Sequence, residues 1–360
     1  MSAFSPLLAI TLALILGIIW QSTGLLPWIA LVFVGIAVAT FFARQYQQTT
    51  FVALITTFFV AGALRYEQQQ HNFERFLSEG CNKACRVTGT IEDIETSYRH
   101  ANNTIITVTL QKMCHKNVPV KTAQGLTLKI TTRQNIDHLQ TGDIIYCPKI
   151  FLRACAHEGY KRYLIKEHMA GHVHTQQPIK VLYRPKRSIN RWLNNQRNAI
   201  LQQNYNNLSP HTFTLFGSIF WGKKELDAQE MDPIKDQFKV WGIMHYLARS
   251  GLHVLLFVML WAWLFALLPL PFFLKQLLMG MVMIGYHLLS WPSISFIRSL
   301  AMFLLYKICL IRNLQINVLH LLALTCVSVL LINPHQLFFL DFQLSFGLTF
   351  ALAWLTSLRA

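Results

Sequence analysis

Charge is scarce in this sequence, and negative charge scarcest of all. Asp, Glu, Lys and Arg together make up 13% of 360 residues, with 16 acidic against 32 basic side chains, while 53% of residues are apolar. A soluble domain carries about a quarter of its residues as charges, so this chain lacks the means to solvate an ordinary globular surface. The positive mean hydropathy of +0.35 agrees. A soluble enzyme of ordinary composition is excluded, and a membrane protein is implied. The N-terminus, Met1-Ser-Ala-Phe-Ser-Pro6, lacks the basic segment that opens a secretory signal peptide, and two further apolar runs follow the first closely. The first run therefore reads as a retained transmembrane helix.

The charge that is present is unevenly placed. Between Arg65 and Pro210 stand twenty-one Lys and Arg against ten Asp and Glu, an excess of eleven. One polar block thus holds most of the basic surplus, which suits an anionic partner, either lipid headgroups or nucleic acid, although solubility alone accounts for some of it. Five of the seven cysteines, Cys81, Cys85, Cys114, Cys147 and Cys155, lie in the same block, whereas Cys309 and Cys326 sit in apolar runs. That bias suggests an oxidising compartment for the block, with at least one thiol left over from internal pairing.

Three apolar segments, Leu7 to Trp20, Leu25 to Phe42 and Phe51 to Leu64, form a three-helix membrane anchor over residues 1–64. From Arg65 the pattern turns to β. Strands are expected at Arg86–Thr96, Thr104–Leu110, Leu126–Thr132 and Asp143–Phe151, with a fifth from Gly171 toward Val181, each rich in β-branched residues and bounded by Asn, Gly or Asp. Five short strands over residues 65–183 fit a small closed barrel of the OB type. In the first hairpin, paired positions sum to about 201 and bring Cys85 close to Cys114, which gives a candidate disulfide. A rival grouping places Cys81, Cys85, Cys114 and His115 around a metal, but Cys-x3-Cys followed by a Cys-His step matches no strong zinc spacing. Neither a metal nor a cofactor is assigned. After Arg184-Pro-Lys-Arg comes a basic, helical connector that can lie on the membrane surface. Five further spans are expected at Ser250–Leu268, Phe272–Leu289, Ile294–Ile311, Val318–Ile332 and Phe338–Leu358, for eight in all. With the N-terminus inside, Arg44, Lys307, Arg312 and Arg359 fall at the cytoplasmic side, and the β domain lies outside.

Several short patterns suggest chemistry. Gly217-Ser-Ile-Phe-Trp-Gly222-Lys223-Lys224 falls one residue short of a phosphate-binding loop, because Lys replaces the hydroxyl residue that ligates magnesium and no strand precedes it. His172-Val-His174 reads as a solvated strand pair. Ser250 and His253 share a helix face, and Asp341 is available in a later span, so a membrane-embedded serine hydrolase is one alternative function. Against it, Ser250 followed by Gly251 fits a helix N-cap. Arg298 and the run Asp341-Phe-Gln-Leu-Ser345 are costly in hydrocarbon, at roughly 2.5 to 3.5 kcal/mol for a central Arg or Asp. Such residues either hold helices together or line a hydrated path.

The stretch Met244-His-Tyr-Leu-Ala-Arg-Ser-Gly-Leu-His-Val254 resembles the "H-L-L-A-I-S-G-L-H-V" signature of the ComEC competence-protein family, which imports single-stranded DNA in bacterial transformation. Leu215-Phe-Gly-Ser-Ile-Phe-Trp-Gly-Lys223, Phe296-Ile-Arg-Ser-Leu-Ala-Met302, Asn333-Pro334 and Phe342-Gln-Leu-Ser-Phe346 follow that family's order. Thr141-Gly-Asp143 and His157-Glu-Gly-Tyr-Lys-Arg-Tyr-Leu164 are similar to its amino-terminal OB region. Arg249 departs from the signature, where the family has an apolar residue. The resemblance implies a multi-pass α-helical membrane protein with an inserted small all-β, OB-like extracytoplasmic domain, in the bacterial cytoplasmic (inner) membrane. It divides the chain into the anchor (1–64), the β domain (65–183), a basic connector with short gate-like helices (184–249) and a transmembrane competence domain of about five helices (250–360). Many relatives carry further helices and a metallo-β-lactamase-like domain, so this chain reads as an amino-terminal portion and is expected to have no enzymatic activity of its own. Gly217, Gly222 and Lys223 would form the gate region, while His245, Arg249, Ser250, Gly251, His253, Arg298, Asp341, Gln343 and Ser345 would line or brace the path. The implied partners are single-stranded DNA, membrane lipids, a DNA receptor outside and an ATP-driven motor inside. A truncated, binding-only membrane module is the remaining alternative.

Overall fold

The computed structural model describes residues 6–23, 46–97, 103–116, 118–134, 138–153, 157–185, 189–222, 236–241, 251–291, 294–315 and 317–359. In chain order, helices α1 (Pro6–Thr23) and α2 (Tyr46–Gly80) lead into strands β1 (Ala84–Ser97), β2 (Asn103–His115), β3 (Val118–Pro119), β4 (Thr127–Thr132) and β5 (Ile144–Phe151). Helix α3 (Glu158–Lys166) precedes β6 (Met169–His174) and β7 (Lys180–Tyr183), and α4 (Ile189–Asn207) and α5 (Pro210–Phe216) run into a π-helical turn at Gly217–Trp221. The remaining helices are α6 (Gly251–Ala266), α7 (Phe272–Leu289), α8 (Ile294–Ile311), α9 (Val318–Ile332) and α10 (Leu340–Arg359). The chain divides into two compact units, Met1–His71 with Ile297–Ala360, and Asn72–Phe296. The apolar run expected at 25–42 and Cys155 lie outside the described residues.

In the first unit the helices approach closely because small residues permit it. A Cβ at Gly17 of α1 would come within 2.1 Å of the Phe59 carbonyl oxygen of α2, and one at Gly62 within 2.6 Å of the Leu14 carbonyl oxygen. Backbone contact of this kind substitutes for hydrophobic driving force where the surroundings are themselves apolar. Asn317 begins α9 as an N-cap, its side-chain oxygen accepting from the amides of Leu319 and His320. The other end is closed by α2: Arg65 Nε donates to the Leu331 carbonyl at 3.1 Å and Gln69 Nε2 to that of Ile332 at 3.0 Å. A cation at a helix C-terminus meets the negative end of the dipole, so this contact helps fix where α9 stops.

Among the described residues two helices, Pro6–Thr23 and Phe272–Leu289, are long and apolar enough to cross a membrane, and shorter apolar helices occur at His253–Ala266, Val318–Ile332 and Leu340–Thr356. Their outward faces are apolar. On α6, Leu255, Leu256, Met259, Leu260 and Trp263 are each more than half exposed, a face that water solvates poorly.

The second unit is built on a mixed sheet of order β6-β4-β2-β1-β5-β7, with β3 paired to β2. Inward residues of β1, β2, β4 and β5, such as Val87, Ile91, Ile106, Val108, Leu128, Ile130 and Ile145, form one core with Phe73 and Phe76 from the end of α2 and Leu164 and Ile165 of α3. The expected fifth strand is two. β6 pairs in parallel with β4, and β7 pairs antiparallel with β5, so these two strands form opposite ends of the sheet. Only residues 175–179 join them, a reach of at most about 20 Å, so the sheet must curl. A small mixed sheet is thus present, but the hydrogen-bonded order is not the five-stranded closed barrel expected. A second difference concerns residues 65–80, which continue α2 as helix. Phe73, Phe76 and Leu77 recur at helical spacing and pack in the core, and no β-branched residue interrupts them.

The candidate Cys85–Cys114 disulfide does not form. Cys85 pairs with His115, while Cys114 pairs with Arg86, so alternation of the pleat turns the two thiols to opposite faces. Among the described residues all six cysteines are free thiols.

One buried ion cluster fastens the connector to the sheet. Asp143, just before β5, has no solvent exposure, yet its carboxylate accepts from Arg184 Nη2 and Arg191 Nη2, both at 2.7 Å, and from the Gln140 amide at 3.0 Å. Arg191 also donates to the Thr141 and Pro185 carbonyls, and Asn194 of α4 to the Glu92 carbonyl of β1 at 2.9 Å. Hydrogen bonding to Asp143 holds Arg184 above its ordinary guanidinium range.

Asp143→Asn keeps the shape but strands two guanidiniums. Because Arg184 is 43% exposed and screened, the loss falls at the low end of the range for a broken buried pair, about 3 kcal/mol, and is read as a lowered melting temperature in detergent; unchanged melting would remove the clamp's structural role. The buried thiols give a pH dependence. Burial pushes Cys81 up to about 11, helped by Cys85, and Cys147 up to about 12. The folded state therefore favours the protonated thiols, and their contribution is complete below an ordinary thiol pKa of about 9 and is lost as pH rises through 11 to 12. Melting temperature should fall above pH 9, and at pH 8 half-exposed Cys114 should be alkylated before Cys81 or Cys147; equal rates would contradict the burial.

Candidate functional site

The described part of the segment expected to act as a gate, up to Gly222, follows a helix and is itself a helical turn. Ser209 caps α5, accepting from the Thr212 amide, with Pro210 in the first turn. The helix then widens into the π-turn Gly217–Trp221, which ends at Gly222 with φ +74°, a left-handed conformation that glycine adopts without strain. π-Turns leave backbone hydrogen bonding irregular and recur at functional positions. A helix rather than a strand precedes Gly217, so the segment lacks the context of a phosphate-binding loop. Lys223 lies outside the described residues.

This turn is held by the apolar helices that follow. Tyr286 Oη of α7 donates to the Phe220 carbonyl at 2.5 Å, and the Trp291 amide to that of Trp221 at 2.8 Å. Tyr286 stacks on Phe257 of α6 at 4.4 Å and meets Phe296 edge-on. His253, in the first turn of α6 close after Gly251, sets its ring edge-on to Phe220 at 6.5 Å. Aromatic side chains thus surround the irregular turn, and of the residues singled out from sequence, Gly217, Gly222 and His253 come together here. His245, Arg249 and Ser250 lie outside the described residues.

The end of α7 is tied to the sheet. Arg197 of α4 donates to the Leu288 carbonyl at 2.6 Å and to Asn194 Oδ1 at 3.0 Å, and lies over the Trp291 ring at 5.2 Å. Trp291 Nε1 in turn donates to Asp93 of β1 at 3.3 Å. Burial pulls the Arg197 pKa down, and the Asp93 carboxylate opposes that shift. Sequence reading missed Arg197, Asp93, Tyr286 and Trp291. Only Trp291, an aromatic at the end of an apolar run, carried a signal that it sits at a boundary.

A separate polar group lies in the first unit. Arg298, in the second turn of α8, is 8% exposed. Its Nη1 donates to the Thr349 hydroxyl, which itself donates to the Ser345 carbonyl at 2.8 Å, and its guanidinium lies 5.6 Å over the Phe346 ring. Its Nε is buried with no hydrogen-bond partner. Ser345 joins this arrangement through its backbone. Asp341 is the second residue of α10 and exposed, where a carboxylate suits the helix dipole rather than the middle of a span. It stands two turns, about 12 Å, from Thr349 along the helix. Gln343 Nε2 donates to the Leu337 carbonyl at 2.9 Å and helps close the helix start. Thr349 and Phe346 are the partners that the sequence did not reveal, because nothing in it fixes how α8 meets α10. Nearby, His335 is buried and stacks on Tyr66 at 4.4 Å, another pairing with no sequence signal.

No curated protein and no solved structure matches the chain. Residues 225–360, a little over a third of its length, match the family model described as Competence protein. Gly251, His253, Arg298, Asp341, Gln343 and Ser345 fall within that stretch, as do His245, Arg249 and Ser250; Gly217, Gly222, Lys223 and the whole sheet lie before it. The match suggests a role in DNA uptake during transformation, at a membrane.

Proposed function

We propose that the chain is the channel subunit for uptake of single-stranded DNA across the bacterial cytoplasmic membrane, a multi-pass protein with its N-terminus in the cytoplasm and its mixed-sheet domain outside. The observation that carries this reading is Arg298. A guanidinium in an apolar helix bundle costs about 2.5 to 3.5 kcal/mol, and a structural one ordinarily offsets that cost by pairing with a carboxylate or with backbone carbonyls. Arg298 instead spends one donor on a hydroxyl, rests on a ring and keeps Nε idle, which suits transient contact with a phosphate or with water in a hydrated passage.

Three further observations support it. The competence match covers the stretch that holds Arg298. The C-terminal end of α7 abuts β1 through Arg197, Trp291 and Asp93, as a helix running outward toward the sheet domain would. The polar block carries the basic excess that a polyanion needs. In this reading the π-turn at Gly217–Trp221 acts as the gate, and His245, Arg249, Ser250, Gly251 and His253 continue the path. A receptor outside would deliver the strand and an ATP-driven motor inside would pull it, since Lys224 stands where a magnesium-binding hydroxyl is needed. No reaction is assigned to this chain.

Arg298→Met separates transport from packing, because methionine fills the site without burying charge. Cells whose sole copy carries it should take up labelled DNA at least tenfold less well than wild type, with normal protein level and equal or higher melting temperature. Normal uptake at normal level would overturn the path assignment. Arg298→Lys, which keeps the charge but loses the fork, should fall between the two.

A further inference from the structure

Within the first unit, α1, α9 and α10 flank an apolar groove of about 340 Å³, inside the range that holds organic ligands, about 300–1,000 Å³. It runs along α1 from Leu8 to Ile15 and along α10 from Phe342 to Phe350, about 10 and 12 Å of helix. That volume over that length is a slot roughly 5 Å across, room for a single hydrocarbon chain whose carbons rest about 4 Å from their neighbours. Ala323 and Cys326 of α9 are buried at its back, while Leu12 and Phe350 at its rim are 47% and 39% exposed. None of the described lining residues is charged. The Thr11 hydroxyl donates to the Leu7 carbonyl at 2.7 Å, and Gln343 Nε2 to that of Leu337, so the polar lining is engaged within the protein.

Gly347 keeps the slot open. Gly17 and Gly62 answer to close helix contact, but a Cβ at Gly347 would meet no atom within 4 Å. A glycine inside a helix weakens it relative to alanine, and no neighbour demands one here. What Gly347 contributes is unfilled space, because it lines the groove.

We infer that this groove seats one acyl chain of a membrane phospholipid, held between α1, α9 and α10 as a fixed part of the bundle. The inference rests on the membrane part of the reading above and adds a ligand site to it. Three features choose the occupant. Water is unsuited, because cavities lined by apolar side chains stay dry. A polar ligand would find no charge in the lining and its hydrogen-bonding groups already engaged. Left empty, the walls would forfeit their dispersion contacts, and α1 is apolar and long enough to cross a membrane, where acyl chains are the filler at hand. Phe346 belongs both to this wall and to the Arg298 contact, with the guanidinium 5.6 Å over its ring. A chain seated in the groove therefore braces the ring on which Arg298 rests.

The test uses the full chain in detergent micelles with a phosphatidylcholine that carries a diazirine in one acyl chain; after irradiation the adducts are mapped by mass spectrometry. Labelling should saturate at a single phospholipid per chain and favour Leu12, Cys326 and Phe350 over the exposed Leu344 and Leu348 of α10. Gly347→Leu, whose side chain enters the open space, should lower groove labelling about tenfold, the effect of crowding a filled core. Leu12→Trp should do the same from the opposite wall if the first variant does not fold. Gly347→Ala is too small to fill the slot, so it should keep the labelling and melt at a higher temperature. Adducts spread evenly over the groove and the exposed leucines are bulk lipid contact and overturn the inference. So does wild-type labelling of Gly347→Leu at the wild-type melting temperature. Labelling by a diazirine fatty acid but not by the phospholipid would make the occupant a free acid, and a dimer in native mass spectrometry that Gly347→Leu converts to monomer would make it a second copy; either result overturns the site as stated. The membrane reading is scored separately, by whether the chain sediments with membranes and needs detergent for its release.

Discussion

A carboxylate with no access to water, Asp143, organises the sheet and the helix that follows it. It sits at the entry to β5 and is met by Arg184 at the exit of β7 and Arg191 in the first turn of α4. Three separate stretches of chain converge on one charge. An ionised carboxylate taken out of water costs several kcal/mol unless its oxygens are filled, and here two guanidiniums and the Gln140 amide fill them. The two arginines do not contribute equally. Arg184 is 43% exposed and Arg191 17%, so solvent screens the first more strongly and Arg191 carries the larger share. An apolar cluster of the same volume would stabilise as well, but it would not dictate the direction of α4. That direction matters, because Arg197, under two turns further along α4, reaches the Leu288 carbonyl near the end of α7 and the Trp291 ring. The ion cluster in the sheet thus sets the position of a helix end.

The helices of the first unit follow a different rule. They gain little from excluding water if their surroundings are lipid, so contact distance and the closing of backbone groups decide the packing. Gly17 and Gly62 give the contact distance. Arg65 and Gln69, on a helix that continues past the apolar stretch, close the carbonyl end of α9. Both devices use α2, whose length therefore serves two purposes: its middle supplies the cap, and its last turns place Phe73 and Phe76 in the core of the sheet.

Legibility in the sequence followed the range of the interaction. The ends of α7, α8 and α9 coincide with the expected Phe272–Leu289, Ile294–Ile311 and Val318–Ile332, because Pro271, Pro292 and Asn317 punctuate the apolar runs locally. The first four strands were legible from β-branched alternation for the same reason. The fifth was read as one element, yet the segment changes partner from β4 to β5 between Thr175 and Ile179, and no local pattern encodes a change of partner. Residues 65–80 were assigned to the β domain on polarity, whereas the spacing of Phe73, Phe76 and Leu77 carried the helix. The expected thiol pairing failed on one residue of register, which suffices to reverse the face. Asp143 was visible as part of Thr141-Gly-Asp143, but its partners lie 41 and 48 residues away. The same holds for the candidate path, where Arg298 was legible as an expensive residue and Thr349, 51 residues on, was not.

Three arginines show how one side chain serves opposite ends. Each nitrogen of Arg191 donates to a carboxylate or a backbone carbonyl, so it fixes geometry. Arg197 directs both terminal nitrogens at protein oxygens and lays its plane on an indole, which makes it a strut with one idle donor. Arg298 has a hydroxyl, a benzyl ring and neither a carboxylate nor a backbone carbonyl among these contacts. If stability were the only demand, methionine at that position would pack as well and avoid the desolvation. In the transport reading proposed above, a guanidinium held by a hydroxyl and a ring suits an acceptor that comes and goes, such as a phosphate passing through a wet path.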